Sequence, residues 1–239
     1  MLRTIGGGSY GKPLPTEMLF GTCLCLVVLG LFDFFVASRV LSKARWFALH
    51  AVANAGVVVF GFGDVLRAFA DPFQAAKGEY NLVPFYFIMS VHAYHMLAPG
   101  FTLKVADWVH HLLFAVAIGL IALTDQWGPV QTVVGFFLSG LPGGLDYVMM
   151  TMVRYDMLDI VQEKIWNARI NTWLRAPGTL FGAFILYSVS IDADERTDFL
   201  SPYTRYMTLL VAILCYGNGL YYMQQVTLST ARKDKNYSC

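Results

Sequence analysis

Charge is what this sequence has least of: 14% of its 239 residues are Asp, Glu, Lys or Arg, against 56% hydrophobic ones. A soluble domain carries roughly a quarter charged residues to keep its surface solvated, so an ordinary soluble fold is excluded. The formal net charge of +1 comes from basic residues scattered between apolar blocks and not gathered in a patch, which excludes nucleic acid as a partner. Cysteine is equally uninformative as a framework. Of the four, Cys23 and Cys25 fall in the first apolar block, Cys215 in the last, and Cys239 is the final residue, a distribution that builds no disulfide scaffold. The first seventeen residues lack the short apolar core and small-residue site of a cleavable signal. The last cysteine stands at the terminus rather than fourth from it, so it is no prenylation box. No internal repeat is evident.

What the sequence has in abundance is long apolar runs. Seven can be marked: Met18 to Ser38, Trp46 to Gly63, Leu82 to Ala98, Val105 to Thr124, Pro129 to Val153, Trp173 to Ile191 and Tyr206 to Val226. Blocks of about 18 or more residues match the length a helix needs to cross roughly 30 Å of hydrocarbon. The expected fold is therefore an all-α polytopic membrane bundle of about seven transmembrane helices, with six to eight as the range. Residues 1–17 form a polar tail, 18–226 one transmembrane domain, and 227–239 a basic tail. The third segment is short. The fifth contains Pro142, Gly143 and Gly144, which predict a break into two half-helices.

An odd number of crossings puts the termini on opposite sides, and the side richer in Lys and Arg faces the cytoplasm. Eleven basic residues (Arg39, Lys43, Arg45, Lys104, Arg154, Lys164, Arg169, Arg175, Arg232, Lys233, Lys235) fall on the C-terminal side and six on the other. The C-terminus is thus expected on the cytoplasmic or matrix side of an intracellular membrane, endoplasmic reticulum or organelle inner membrane. The longest polar stretch, Arg154 to Asn171, alternates charges with Met157, Leu158, Ile160, Val161, Ile165 and Trp166. That pattern predicts an amphipathic helix lying in the interface near residues 155–171.

All five histidines fall inside predicted spans, where an ionisable group costs about 2.5 kcal/mol or more unless it faces protein or water. Asp107, His110 and His111 share one helical stripe by their i, i+3, i+4 spacing, and His92 and His95 lie one turn apart. His50 and Asn54, Asp146, and the stripe Asn218, Tyr221, Tyr222 and Gln225 are further interior candidates. Asp107, His110, His111, Asp146 and His95 form the candidate lipid or substrate pocket. No metal and no cofactor is expected. Membrane di-iron enzymes carry about eight histidines in three boxes, and the last span has no lysine to hold a retinal Schiff base.

From Phe85 to about Asp156, an aromatic-rich helix, a short loop and a helix opening on Asp107-Trp108-Val109-His110-His111-Leu112-Leu113 give an order that resembles the TLC family. That is the membrane domain shared by translocation-associated, longevity-assurance and ceroid-lipofuscinosis proteins. The resemblance implies a TLC-like core over about 46–226 and a function in binding or handling membrane lipids. His110 and His111 match the pair that works in acyl transfer in the ceramide-synthase branch. Asp146 matches the second acidic position of the later element, but Pro142 replaces its histidine and Gly143 its first aspartate. Catalytic residues therefore stay unassigned. A rival reading makes the chain an accessory subunit of a larger membrane complex, with lipids and other subunits as partners.

Overall fold

The structure, a computed structural model, describes residues 15–75, 81–105, 108, 111, 127–191 and 202–237. All regular secondary structure among them is helical. Helix α1 runs over Pro15–Phe32 and continues through a π-helical turn, Asp33–Ala37. Helix α2 is Arg45–Ala70 and α3 is Val83–Leu97. Helix α4 spans Pro129–Arg154, α5 spans Ile160–Ile191, and α6 is Pro202–Tyr237. The helices neighbour one another in the order α1, α3, α2, α4, α5, α6, so α2 sits inside the bundle between α3 and α4.

Among the described residues, five helices are long and apolar enough to cross a membrane: Thr16–Ala37, Ser42–Ala70, Pro129–Arg154, Ile160–Ile191 and Arg205–Ala231. Their surface is apolar. Leu19, Phe20, Val59, Phe62, Trp173, Phe184 and Ile213 are exposed, while Asp33, His50, Asn54, Asp64, Glu163, Asn167 and Asn171 are buried. A soluble protein distributes these classes the other way, and the inversion is compatible with lipid as the surrounding solvent. Helix α3 has 15 residues and extends about 22 Å, which is why it falls short of the other five. Most of the segment Val105 to Thr124, expected to be the fourth span, lies outside the described residues.

Two sequence expectations are corrected. Pro142, Gly143 and Gly144 do not split the fifth apolar segment: Pro129–Arg154 is one continuous run, with a π-helical turn at Phe136–Gly140 just before the proline. Proline lacks the N–H for the i−4 carbonyl and its ring crowds it. The wider π turn absorbs that mismatch without a break. The same device recurs on α5, where Asn171–Arg175 is π-helical two residues before Pro177. Nor does the stretch near 155–171 form a separate interfacial helix. From Ile160 on it is the first third of α5, and its polar residues Glu163 and Asn167 are buried against neighbouring helices. Periodicity marked a polar face correctly but could not say that this face turns inward.

Hydrogen bonds between helix ends define the two ends of the bundle. At one end Tyr155 Oη donates to the Val40 carbonyl (3.0 Å), Thr230 Oγ1 to the Lys164 carbonyl (3.1 Å), and Arg45 to the Pro99 carbonyl (3.4 Å). At the other, Asn81 Nδ2 donates to Asp64 (2.7 Å), Thr132 Oγ1 to the Asn81 carbonyl (3.1 Å), and Trp127 Nε1 to Thr208 (2.9 Å). The basic residues Arg39, Lys43, Arg45, Arg154 and Lys164 gather at the first end by sequence neighbourhood to these contacts.

Candidate functional site

Four histidines meet between α2, α3 and the described residue 111. Trp46 and His50 stand one turn apart on α2, and His92 and His95 one turn apart on α3. The His95 ring stacks on Trp46 at 3.8 Å between centroids and on His50 at 4.4 Å. His50 in turn stacks on Tyr147 of α4 at 4.3 Å. His111 approaches His92 edge-on at 5.0 Å and lies 6.2 Å from both His95 and Trp46. His50 Nδ1 and His92 Nδ1 each lie within hydrogen-bond range of the carbonyl four residues earlier, Trp46 at 3.0 Å and Ile88 at 2.7 Å. His95 is 1% exposed, and neither of its ring nitrogens has a hydrogen-bond partner among the described residues. Among those residues, no group of three or more His, Cys, Asp or Glu side chains is arranged to hold a metal ion.

Beside this cluster lies a clamp. Arg45 donates to both carboxylate oxygens of Asp33, from Nε at 2.7 Å and Nη2 at 2.5 Å, and Tyr94 Oη adds a third bond at 2.7 Å. The arginine also covers the Phe101 ring at 4.4 Å, and Phe101 packs edge-on against His95 at 4.8 Å. A bidentate guanidinium holds planar geometry, so the clamp fixes α1, α2 and α3 around the imidazoles.

A second polar centre runs along α5. Glu163, Asn167, Asn171 and Arg175 recur every four residues and therefore share one face. Asn167 Nδ2 donates to Asp146 Oδ1 on α4 (2.7 Å) and to Glu163 Oε1 (3.1 Å). Asn171 Nδ2 donates to Asn167 Oδ1 (2.6 Å), and Arg175 Nη1 to Asn171 Oδ1 (3.2 Å). Lys164 Nζ lies 3.0 Å from Glu163 Oε2. A buried carboxylate without such partners would be prohibitive in hydrocarbon.

The structure thus brings His95 and His111 together, whereas Asp146 belongs to the amide network of α5 through Asn167. Asp107 and His110 lie outside the described residues. His50, Trp46 and Tyr147 complete the imidazole cluster and were not in the candidate pocket. Of the α6 stripe, Tyr222 lies under the Arg175 guanidinium at 5.0 Å, while Tyr221 and Gln225 are exposed.

The chain matches no family model, no curated protein and no solved structure. Its site therefore has to be read from its own geometry. Tyr147 and Asp146 are adjacent on α4, and His50 and Asn54 one turn apart on α2, so the two polar centres adjoin across the α2–α4 contact. Glu163, Asn167 and Asn171 fall in the stretch expected to lie along the interface, and Arg175 at the start of the sixth apolar segment, so their shared face was not expected to turn inward. Their strict four-residue spacing, without a matching break in apolar character on the opposite face, was the signal available.

Proposed function

We propose that this chain is a seven-span membrane protein that binds or handles an amphiphilic lipid, with the head group at the imidazole cluster and the tail between helices. The observation that carries this is His95. Its ring packs against Trp46 and His50, and its two buried nitrogens have no partner among the described residues. An unmade hydrogen bond in such a place costs about 1–3 kcal/mol, which a hydroxyl, amine or phosphate oxygen of a head group would recover. The apolar exterior gives an amphiphile access from the bilayer, and the resemblance of residues 85–156 to the TLC family points to lipid as well.

Seven crossings are supported by the ends of the described helices. Both α3 and α4 finish at the Arg45 and Tyr155 end of the bundle, whereas Trp127 before α4 sits at the Thr208 end. An additional crossing between Pro99 and Trp127 accounts for this. The basic end then faces the cytoplasm or matrix by the positive-inside rule, in an intracellular membrane.

One observation favours the subunit reading. Trp173 is 79% exposed near the middle of α5, and Trp166 and Arg169 stand on the same outward face. Tryptophan prefers the membrane–water boundary to its centre, so a neighbouring protein would suit this face. Comigration with a large complex on native gels supports that reading, and a monomer or small oligomer supports a free-standing lipid protein.

The deciding experiment is mass spectrometry of lipids that co-purify with the full chain and with His95→Phe. The wild type is expected to carry a defined lipid that the variant loses. An unchanged lipid complement in a folded His95→Phe protein refutes the head-group site.

A further inference from the structure

We infer that Asn54, Gly143 and Arg175 form a second site, a cradle for an anionic oxygen group, carboxylate or phosphate, near mid-depth between α2, α4 and α5. It goes beyond the imidazole reading and stands without it.

The three residues sit near the middle of their spans, Ser42–Ala70, Pro129–Arg154 and Ile160–Ile191. The place a Cβ would occupy on Gly143 lies 3.0 Å from Asn54 Nδ2 and 3.7 Å from Arg175 Nη2. The Asn54 amide and the Arg175 guanidinium thus both pack close to the α4 backbone at Gly143. Asn54 is 4% exposed, yet its amide makes no hydrogen bond among the described residues. Arg175 uses only Nη1, toward Asn171, and lays its guanidinium over Tyr222; its Nε is buried without a partner among the described residues.

No carboxylate among the described residues forms an ion pair with Arg175. Glu163 pairs with Lys164, and Asp146, bonded to the neutral Asn167 amide, acts on Arg175 by its charge without touching it. A guanidinium in direct contact with no carboxylate keeps donors free for one. The guanidinium's remaining N–H groups offer the planar fork that recognises carboxylate and phosphate oxygens. An oxygen seated between the two side chains would accept from Arg175 Nη2 and from Asn54 Nδ2. Alanine at 143 would press its methyl group on the Asn54 amide and displace that donor.

The test uses the full chain in phosphatidylcholine nanodiscs, with tritiated oleate and radiolabelled inorganic phosphate as probes and unlabelled acetate as competitor. The wild type is expected to bind at least one probe saturably. Gly143→Ala should weaken binding tenfold or more, Arg175→Gln should abolish it, and Arg175→Lys should restore only part because it lacks the fork. Oleate that acetate and phosphate cannot displace identifies an anionic lipid as the occupant, and displacement identifies a free anion; both support the cradle. If Arg175→Gln does not fold, Gly143→Ala decides, since it keeps every charge, with Asn54→Leu as its companion. Binding of neither probe by the wild type, or unchanged binding by folded Gly143→Ala or Asn54→Leu, overturns the inference. So does loss of all binding in His95→Phe, which would assign the anion to the imidazole cluster instead.

Discussion

The indole of Trp46 and the imidazole of His95 lie face to face, 3.8 Å between centroids and 27° from parallel. The contact holds the histidine by its ring surface and leaves the nitrogen edges to other partners. Phenylalanine at 95 would keep the stacking and remove two unsatisfied polar atoms. His95→Phe is therefore expected to be as stable as the wild type or more stable, by about 1–3 kcal/mol, in reversible unfolding in mixed micelles. A large loss of stability would show that His95 nitrogens are satisfied within the chain.

Asp33 is buried and receives Arg45 twice and Tyr94 once. Removing one member of a buried ion pair strands the other and costs about 3–5 kcal/mol, whereas replacing both costs far less. Asp33→Leu should therefore destabilise strongly, at the lower end of that range because Arg45 keeps partial solvent access, and Asp33→Leu with Arg45→Leu should recover much of the loss. A double-mutant cycle in the same unfolding assay measures the coupling, and a coupling near zero would mean that the clamp contributes little.

Asn167 separates two carboxylates by donating to both Asp146 and Glu163. Asn167→Leu removes the shared donor and should cost about 1–3 kcal/mol. Asn167→Asp should cost more, because it sets a third carboxylate where a donor stood. Equal effects of the two substitutions would show that Asp146 and Glu163 do not depend on that amide.

Single cysteines in a background without the native ones test which helix ends share a side. Cysteines replacing Lys43, Lys164 or Thr230 should react with an impermeant maleimide from one side of sealed vesicles, and one replacing Phe73 only from the other. Reporters fused to the two termini should read opposite sides. Both termini on one side would remove the seven-span topology.

The all-helical build from long apolar segments was legible from the sequence alone because crossing lipid is a compositional demand. Thr16–Ala37, Ser42–Ala70 and Arg205–Ala231 had to be apolar along a helix's full length, and a run of that kind is visible without knowing its neighbours. The sequence also marked His95 and His111, since an ionisable group within such a run stands out. Which polar residues meet was decided only by tertiary packing. Glu163, Asn167, Asn171 and Arg175 look like a water-facing stripe, and only the packing of α5 on α4 and α6 turns that stripe inward. Likewise the Trp46 and His50 pair, His95 and Tyr147 lie in three stretches far apart in sequence, and their rings stack only when α2, α3 and α4 dock. Helical period fixes which residues share a face, but it carries no information on whether that face meets lipid, water or another helix. That choice is made by long-range contacts, where each buried donor must find its acceptor.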